Sequence, residues 1–221
     1  SKKEIINKAY TFHSQGNIPE AASYYRYFLE KGFKDPYVFS NYGSLLRDLG
    51  KSDEAELLTR KAIDLKPDFA EAYYNLGMIL ENQRKFKEAE TALRTAIKLN
   101  PILTEAYLHL GNILREVGKL EDAELFIRKA IDINPTNSIP YVNLGSILWD
   151  LGKSKEAITL IRKSILLNPK YAIAYSNLGY ILQEIGNQRE AEIVIRKAIK
   201  LNPNFAYSYL ILGIILKNNG K

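Results

Sequence analysis

The sequence predicts an all-α fold built from stacked pairs of helices, and three regularities indicate it. Apolar residues follow the spacing of three and four that marks one face of a helix. A proline recurs near the end of most units, at Pro67, Pro101, Pro135, Pro169 and Pro203. Glycines recur every 34 residues without slippage, at Gly43, Gly77, Gly111, Gly145, Gly179 and Gly213. A fixed period of about 20–50 residues is typical of repeat proteins, whose units bury their apolar faces against one another.

Each unit divides into two helical segments, as residues 70–103 illustrate. The first segment runs from Ala70 to Gln83, and its apolar face carries Tyr73, Leu76, Gly77 and Leu80. The second runs from about Lys87 to Leu99. It stops before Pro101, because proline cannot continue a helix and restricts the residue ahead of it. Two helices joined by a short turn are therefore expected in every complete unit.

Glycines and alanines have two predicted roles in these units. After the first helix we expect a glycine C-cap, at Gly50, Gly118, Gly152, Gly186 and Gly220. Arg84 takes this place in residues 70–103, so that turn must form without glycine. The 34-residue glycines face small residues of the second helix, at Ala55, Ala89, Ala123, Ala157 and Ala191. Bulky side chains at these contacts would push the two helices apart and leave voids.

Most units follow the same order of residue types: an aromatic residue, Leu-Gly, Ala, a large apolar residue and Pro. This order, repeated every 34 residues, resembles the tetratricopeptide repeat. The aromatic position holds Phe39, Tyr73, Tyr107, Tyr141, Tyr175 and Tyr209. The resemblance implies a right-handed superhelical solenoid of antiparallel helix pairs. It also implies a concave groove lined by the first helices, where members of this family usually bind their ligands.

The whole chain, 1–221, is predicted to be a single solenoid. Its predicted repeats are 2–35, 36–69, 70–103, 104–137, 138–171 and 172–205, followed by a half repeat at 206–221. The first repeat is degenerate, with Ala9 at the glycine position and Phe33 in place of the proline. The half repeat supplies only a first helix, so we expect a fragment of a longer protein.

Composition narrows the classes of partner and compartment. The net charge is +6, but the basic excess is spread over the units and does not mark one face, so no nucleic-acid partner is predicted. No apolar run reaches the roughly 18 residues of a membrane span, so no membrane partner is predicted either. The chain has no cysteine, which excludes disulfides and thiolate metal sites and fits a reducing, cytoplasmic location.

A row of asparagines marks the candidate binding surface, on the face of the first helices opposite the glycines. The row is Asn7, Asn41, Asn75, His109, Asn143 and Asn177. An amide side chain offers both a donor and an acceptor, so it can pair with a peptide unit of an extended ligand. The row resembles the asparagine ladders of O-linked N-acetylglucosamine transferases and of armadillo-type transport receptors. Alternatively, each asparagine bonds a neighbouring repeat and has no ligand.

Further candidates surround the row on the same face. They are Tyr74, Met78, Trp149 and Tyr180. Trp149 is the only tryptophan, and exposed aromatic side chains on a binding surface often dominate affinity. The alternative is that Trp149 folds against the next helix. Four basic and seven acidic residues are predicted on this face, so we expect a protein or peptide ligand that is neutral to basic.

An outer basic stripe is the rival surface for an acidic partner. It comprises Arg26, Arg60, Arg94, Arg128, Arg162 and Arg196. Four of these arginines have a glutamate four residues earlier, the favourable order for ion pairs within a helix. We therefore expect a solvated face whose charges pair with one another.

No enzyme activity and no cofactor are predicted. The two histidines, His13 and His109, show no spacing of a metal site or a catalytic triad, and no glycine-rich loop has phosphate-binding spacing. The sequence therefore favours a non-catalytic scaffold for protein–protein interaction. Two alternatives remain: a substrate-recruiting arm of a larger enzyme, such as a glycosyltransferase, whose catalytic domain lies beyond Lys221, and self-association through the uncapped C-terminal helix.

Overall fold

The computed structural model describes residues 1–218 and 220, and the part of the chain that it describes is all-α, as predicted. It holds thirteen helices and no strand: α1 Lys2–Ser14, α2 Ile18–Glu30, α3 Pro36–Asp48, α4 Ser52–Leu65, α5 Ala70–Asn82, α6 Phe86–Leu99, α7 Thr104–Glu116, α8 Leu120–Ile133, α9 Ile139–Asp150, α10 Ser154–Leu167, α11 Ala172–Glu184, α12 Gln188–Leu201 and α13 Ala206–Asn218. The odd-numbered helices are called A helices and the even-numbered ones B helices. Residues 219 and 221 of the predicted half repeat lie outside the described residues.

The chain forms two compact units, residues 1–113 and 114–221. In unit 1, α1 packs on α2, α3 on α4 and α5 on α6, and the A helices α3 and α5 also touch. In unit 2, α9 packs on α10 and α11 on α12, while α9, α11 and α13 make A-to-A contacts. Because only a short turn joins the two helices of a pair, they run antiparallel. Within each unit, A helices therefore lie side by side.

The predicted turn glycines adopt the left-handed conformation that a helix C-cap requires, and Arg84 adopts it too. The φ of Arg84 is 59°, and Gly118 at the equivalent place has a φ of 79°. In both turns the N–H of this residue and the N–H of the next donate to carbonyls near the end of the A helix, at 2.8–3.0 Å. This backbone shape costs a non-glycine residue roughly 1–2 kcal/mol. The 70–103 turn thus keeps the same geometry as its neighbours, with strain at Arg84.

On four A helices, close contact with the B helix requires the glycine at Gly43, Gly77, Gly145 and Gly179. A Cβ added at Gly145 would lie 2.5 Å from Ile161 Cγ1 and 3.2 Å from the Ala157 carbonyl oxygen. A Cβ at Gly77 would lie 2.6 Å from Leu93 Cγ. Ala157 and its counterparts on the other B helices are fully buried. The packing role predicted for the small residues is confirmed.

Tyrosine hydroxyls tie three A helices to the segment that precedes them. Tyr107 Oη donates to the Pro101 carbonyl at 3.1 Å in unit 1. In unit 2, Tyr141 donates to Pro135 at 2.9 Å and Tyr175 donates to Pro169 at 3.2 Å. The aromatic position therefore anchors the loop between helix pairs, in addition to filling the core.

The C-terminal helix α13 has an uncovered apolar face among the described residues, as predicted. Tyr209 is 48% exposed and Leu210 is 61% exposed. A Cβ added at Gly213 would meet nothing within 4 Å, because no B helix packs there in the described chain. Gly213 therefore offers a matched control for the glycines that do contact a B helix.

Gly145→Ala is predicted to destabilise the protein, since its Cβ would overlap Ile161 and approach the Ala157 carbonyl. Overpacking of this kind costs about 1–3 kcal/mol. The gain in helix propensity recovers at most about 1 kcal/mol. Urea unfolding followed by circular dichroism measures the net loss.

Gly213→Ala makes the same chemical change where there is open space. This variant should be as stable as the unmodified protein, or slightly more stable because of helix propensity. Equal free energies of unfolding for Gly145→Ala and Gly213→Ala would contradict the packing argument.

Candidate functional site

The predicted asparagine row lies on the A helices, and in each unit the surface around its members is called the ladder face of that unit. In unit 1, Asn41 on α3, Asn75 on α5 and His109 on α7 are half-buried, whereas Asn7 on α1 is exposed. In unit 2, Asn143 on α9 and Asn177 on α11 are half-buried. Half-burial suits a contact residue, because the side chain is held by its neighbours and still reaches solvent.

Two asparagines of the row are oriented by serines of the preceding A helix. Asn75 Nδ2 donates to Ser40 Oγ at 2.9 Å in unit 1, and Asn177 Nδ2 donates to Ser146 Oγ at 3.2 Å in unit 2. These are the inter-repeat bonds of the alternative interpretation. Each bond uses one of the two amide N–H groups, and the amide also has a carbonyl oxygen. A role in packing and a role in ligand contact are therefore compatible.

The remaining members of the row have other partners. Near Asn41, burial and the Asp35 carboxylate raise the pKa of the Tyr10 phenol to about 12, and the Asn41 amide opposes this rise. His109 Nδ1 lies 3.2 Å from Glu81 Oε2, so a carboxylate holds this ring where serine holds Asn75. Asn143 also has a partner within the protein.

Tyr74 packs beside His109 on the ladder face of unit 1. Their ring centroids are 5.8 Å apart in an edge contact. Burial raises the pKa of the Tyr74 phenol, Arg47 opposes this, and the carboxylates of Glu105 and Glu81 add to it. The phenol therefore stays neutral and can donate a hydrogen bond at physiological pH.

In unit 1 a cavity of about 620 Å³ opens on the ladder face. Its polar walls come from two successive asparagines of the row, and it is lined among others by Tyr37, Ser40, Asn41, Lys66, Phe69, Glu71 and Asn75. Lys66 Nζ donates to Tyr37 Oη at 2.8 Å and lies 5.0 Å and 5.5 Å from the ring centroids of Tyr37 and Phe69. The chain's own lysine therefore covers the aromatic part of this cavity.

In unit 2 a cavity of about 350 Å³ opens beside Asn177. It is lined by Arg115, Ser146, Trp149, Asp150, Asn177, Tyr180, Ile181 and Tyr207. Trp149 makes an edge contact with Tyr180 on the next A helix, with ring centroids 6.1 Å apart. The Trp149 ring therefore packs on the next helix, which is the alternative interpretation, and it also forms part of a cavity wall. Its contact with a ligand stays a prediction.

The predicted residues are thus brought together in part. Asn41 and Asn75 share the unit 1 cavity, and Trp149, Asn177 and Tyr180 share the unit 2 cavity. Tyr74 and Met78 are half-buried on α5 but are not among the residues that line either cavity. Sequence reasoning missed Ser40, Ser146 and Lys66. The available signal is a serine on an A helix, buried at Ser40 and half-buried at Ser146, but its asparagine partner lies about one period away along the chain.

The outer basic stripe is paired internally, as expected. Arg60, Arg94, Arg128 and Arg196 each contact the glutamate four residues earlier, at 2.7–2.9 Å. Two of these glutamates also bind a lysine of the next helix pair: Glu56 with Lys85 at 3.1 Å in unit 1, and Glu124 with Lys153 at 2.9 Å in unit 2. Together with Arg162, which contacts Glu190 at 2.7 Å, five of the six arginines of the stripe therefore take part in surface ion pairs.

Among the described residues, the features of two other classes of site are absent. No group of three or more His, Asp or Glu side chains there is arranged to hold a metal ion. Of the helices in residues 1–218, none has the length and apolar character needed to cross a membrane.

Family models match the chain from residue 43 to its end. Tetratricopeptide repeat models match residues 70–102, 104–137, 140–171, 172–205 and 194–221, and a TPR repeat model matches residues 43–84. The predicted first repeat, 2–35, lies outside these matches. No curated protein matches the sequence.

Solved structures share the fold at low sequence identity. MamA from Desulfovibrio magneticus RS-1, residues 41 to the end, is 24% identical with a TM-score of 0.69, over 77% of this chain and 96% of MamA. YrrB, described as a TPR protein with an unusual peptide-binding site, is 22% identical with a TM-score of 0.64, over 86% of this chain and 97% of YrrB. A tetratricopeptide repeat protein from Parabacteroides merdae ATCC 43184 is 20% identical with a TM-score of 0.76, over 97% of this chain and 84% of its own.

The Asn75–Ser40 bond is predicted to contribute a coupling energy of about 0.5–1.5 kcal/mol to stability. Asn75→Ala and Ser40→Ala remove the same bond, so the double variant should lose less than the sum of the single variants. Urea unfolding of the unmodified protein, the two single variants and the double variant gives four free energies of unfolding. Their double difference is the coupling energy, in which the effects of helix propensity cancel.

The matched control pairs Ser40→Ala with Asn7→Ala, since Asn7 is exposed on α1 and its side chain takes no part in the bond. These two substitutions should act additively. Additive losses for Asn75→Ala with Ser40→Ala would show that the bond does not orient the amide.

Proposed function

Because the chain belongs to the tetratricopeptide repeat family, we propose that it is a non-catalytic scaffold that holds an extended segment of a partner protein against its ladder face. Proteins of this family are generally interaction scaffolds and bind protein or peptide partners. YrrB, which shares the fold, is described as having a peptide-binding site, and this supports a peptide as the class of ligand.

The observation that carries the proposal is the serine-held asparagine. At Asn75 and at Asn177, one N–H of the side-chain amide donates to a serine, and this bond fixes the orientation of the side chain. The amide oxygen and the second N–H take no part in that bond, so they can pair with a ligand. Both amides line cavities that open to solvent. A peptide unit presents the complementary N–H and C=O, so each amide can bind the ligand backbone whatever its side chains are.

Charge on the ladder face supports a neutral to basic ligand. Its two central arginines are paired with carboxylates: Arg47 with Asp48 at 2.7 Å in unit 1, and Arg115 with Asp150 at 2.6 Å in unit 2. Each pair leaves little net positive charge. Nucleic acid needs unpaired cations to neutralise its phosphates, so this face suits a polypeptide better.

The experiment begins with a display library of unstructured 12-residue peptides selected on the full chain. Isothermal titration calorimetry then gives the Kd of one selected peptide for the unmodified protein and for Asn75→Ala/Asn177→Ala. Each lost amide pair is worth about 0.5–1.5 kcal/mol. The asparagine variant should therefore bind roughly 5- to 150-fold more weakly.

The matched control is Ser40→Ala/Ser146→Ala, which breaks the same two internal bonds and keeps both amides. It should keep most of the affinity. A version of the peptide with methylated backbone nitrogens should lose affinity for the unmodified protein, because its N–H donors are gone. Equal affinities of the unmodified protein and a folded asparagine variant would overturn the proposal.

A further inference from the structure

Three aromatic side chains from successive A helices of unit 2 form one wall of the 350 Å³ cavity: Trp149 of α9, Tyr180 of α11 and Tyr207 of α13. This set is called the aromatic pocket. The planes of Trp149 and Tyr180 meet at 79°, and those of Tyr180 and Tyr207 at 47° with centroids 6.4 Å apart. At these angles neither pair of rings is stacked face to face. The volume equals that of roughly a dozen water molecules, which suits one long side chain.

Carboxylates outnumber cations around the aromatic pocket. Arg115 Nε contacts Asp150 Oδ2 at 2.6 Å, so the charge of this arginine is paired. Burial raises the pKa of the Tyr207 phenol, and the nearby Tyr180 and the Glu184 carboxylate raise it further. Arg115 opposes this rise. Arg115 and Asp150, the charged residues that line the cavity, therefore cancel each other, and the Glu184 carboxylate outside the lining makes the surroundings negative. An apolar ligand would desolvate the Arg115–Asp150 pair without adding a partner for Glu184, which is unfavourable.

Unit 1 shows how this chain combines aromatic rings with a cation. There Lys66 lies over Tyr37 and Phe69 and donates to the Tyr37 hydroxyl. No lysine or arginine in residues 1–218 lies over Trp149, Tyr180 or Tyr207. The aromatic pocket thus has the same kind of ring surface, and its own Arg115 is paired with Asp150 and does not lie over the rings.

We propose that the aromatic pocket binds an arginine or lysine side chain of the segment that the ladder face holds. The cation lies against the ring faces, where tryptophan and tyrosine attract positive charge most strongly, and near the Asp150 and Glu184 carboxylates. Asn177 lines the same cavity, so a ligand residue whose backbone pairs with Asn177 places its side chain in the pocket. The inference rests on the proposed function and adds a side-chain preference to it.

Trp149 is the only tryptophan of the chain, so its fluorescence reports on this pocket alone. The full chain is titrated with capped tripeptides, glycyl-arginyl-glycine amide and its citrulline counterpart, which has nearly the same shape without the charge. A phenylalanine counterpart is the third probe. The arginine peptide should give a saturable change in Trp149 emission. Its Kd should be at least roughly tenfold lower than the Kd of the citrulline peptide or of the phenylalanine peptide, because a desolvated cation–π contact provides a preference of this size.

Glu184→Gln serves as the test of charge, and Glu105→Gln on the ladder face of unit 1 is its matched control. Glu184→Gln should narrow the preference for arginine over citrulline, whereas Glu105→Gln should leave it unchanged. Equal binding of the arginine and citrulline peptides, tighter binding of the phenylalanine peptide, or no saturable response to arginine overturns the inference. The proposed function is tested separately. If the arginine peptide shows no preference but the selected 12-residue peptide still binds in a way that depends on Asn75 and Asn177, this inference fails and the proposed function stands.

Discussion

The contact between the A-helix glycine and the B helix of the same pair is the constraint on which the rest depends. The space for a Cβ at Gly77 or Gly145 is already filled by the side chain of Leu93 or Ile161. The helices of a pair can therefore lie this close only with glycine at that position, and the fully buried alanines complete the contact from the other side. Once the pair is closed on this face, the opposite face of the A helix is left for other uses.

Separate faces explain why structural and candidate binding residues alternate along one helix. On α11, Leu178, Gly179 and Leu182 are buried and pack the helix pair, while Asn177 and Tyr180 are half-buried on the ladder face. The helix backbone sets the direction in which each side chain leaves the axis. Packing of one face against the B helix therefore also fixes where the side chains of the opposite face point. Rigid elements of this kind hold ligand-binding groups more precisely than loops do.

The sequence pattern within one 34-residue unit was enough to predict the helix pairs, the ends of their helices and the glycine contacts. Each of these features depends only on residues of the same unit. The pattern also placed Asn41 beside Asn75, and Trp149 beside Asn177 and Tyr180, on two cavities, whereas Tyr74 and Met78 line neither of them. It could not predict that Ser40 holds Asn75 or that Lys66 covers Tyr37, because those partners come from residues 35 and 29 positions away. Nor could it predict the backbone of Arg84, since propensity disfavours a left-handed arginine and the geometry of the turn overrides it.

The central claim is that the side-chain amides of Asn75 and Asn177 bind the backbone of a ligand. Nitrogen-15 NMR tests it directly, because each side-chain amide gives its own pair of signals, assigned with Asn75→Ala and Asn177→Ala. Both pairs should shift on addition of the selected peptide, with the same Kd as calorimetry, while the side-chain amide of Asn187 at the start of α12 stays in place. Unshifted Asn75 and Asn177 signals in a chain saturated with peptide would contradict the account.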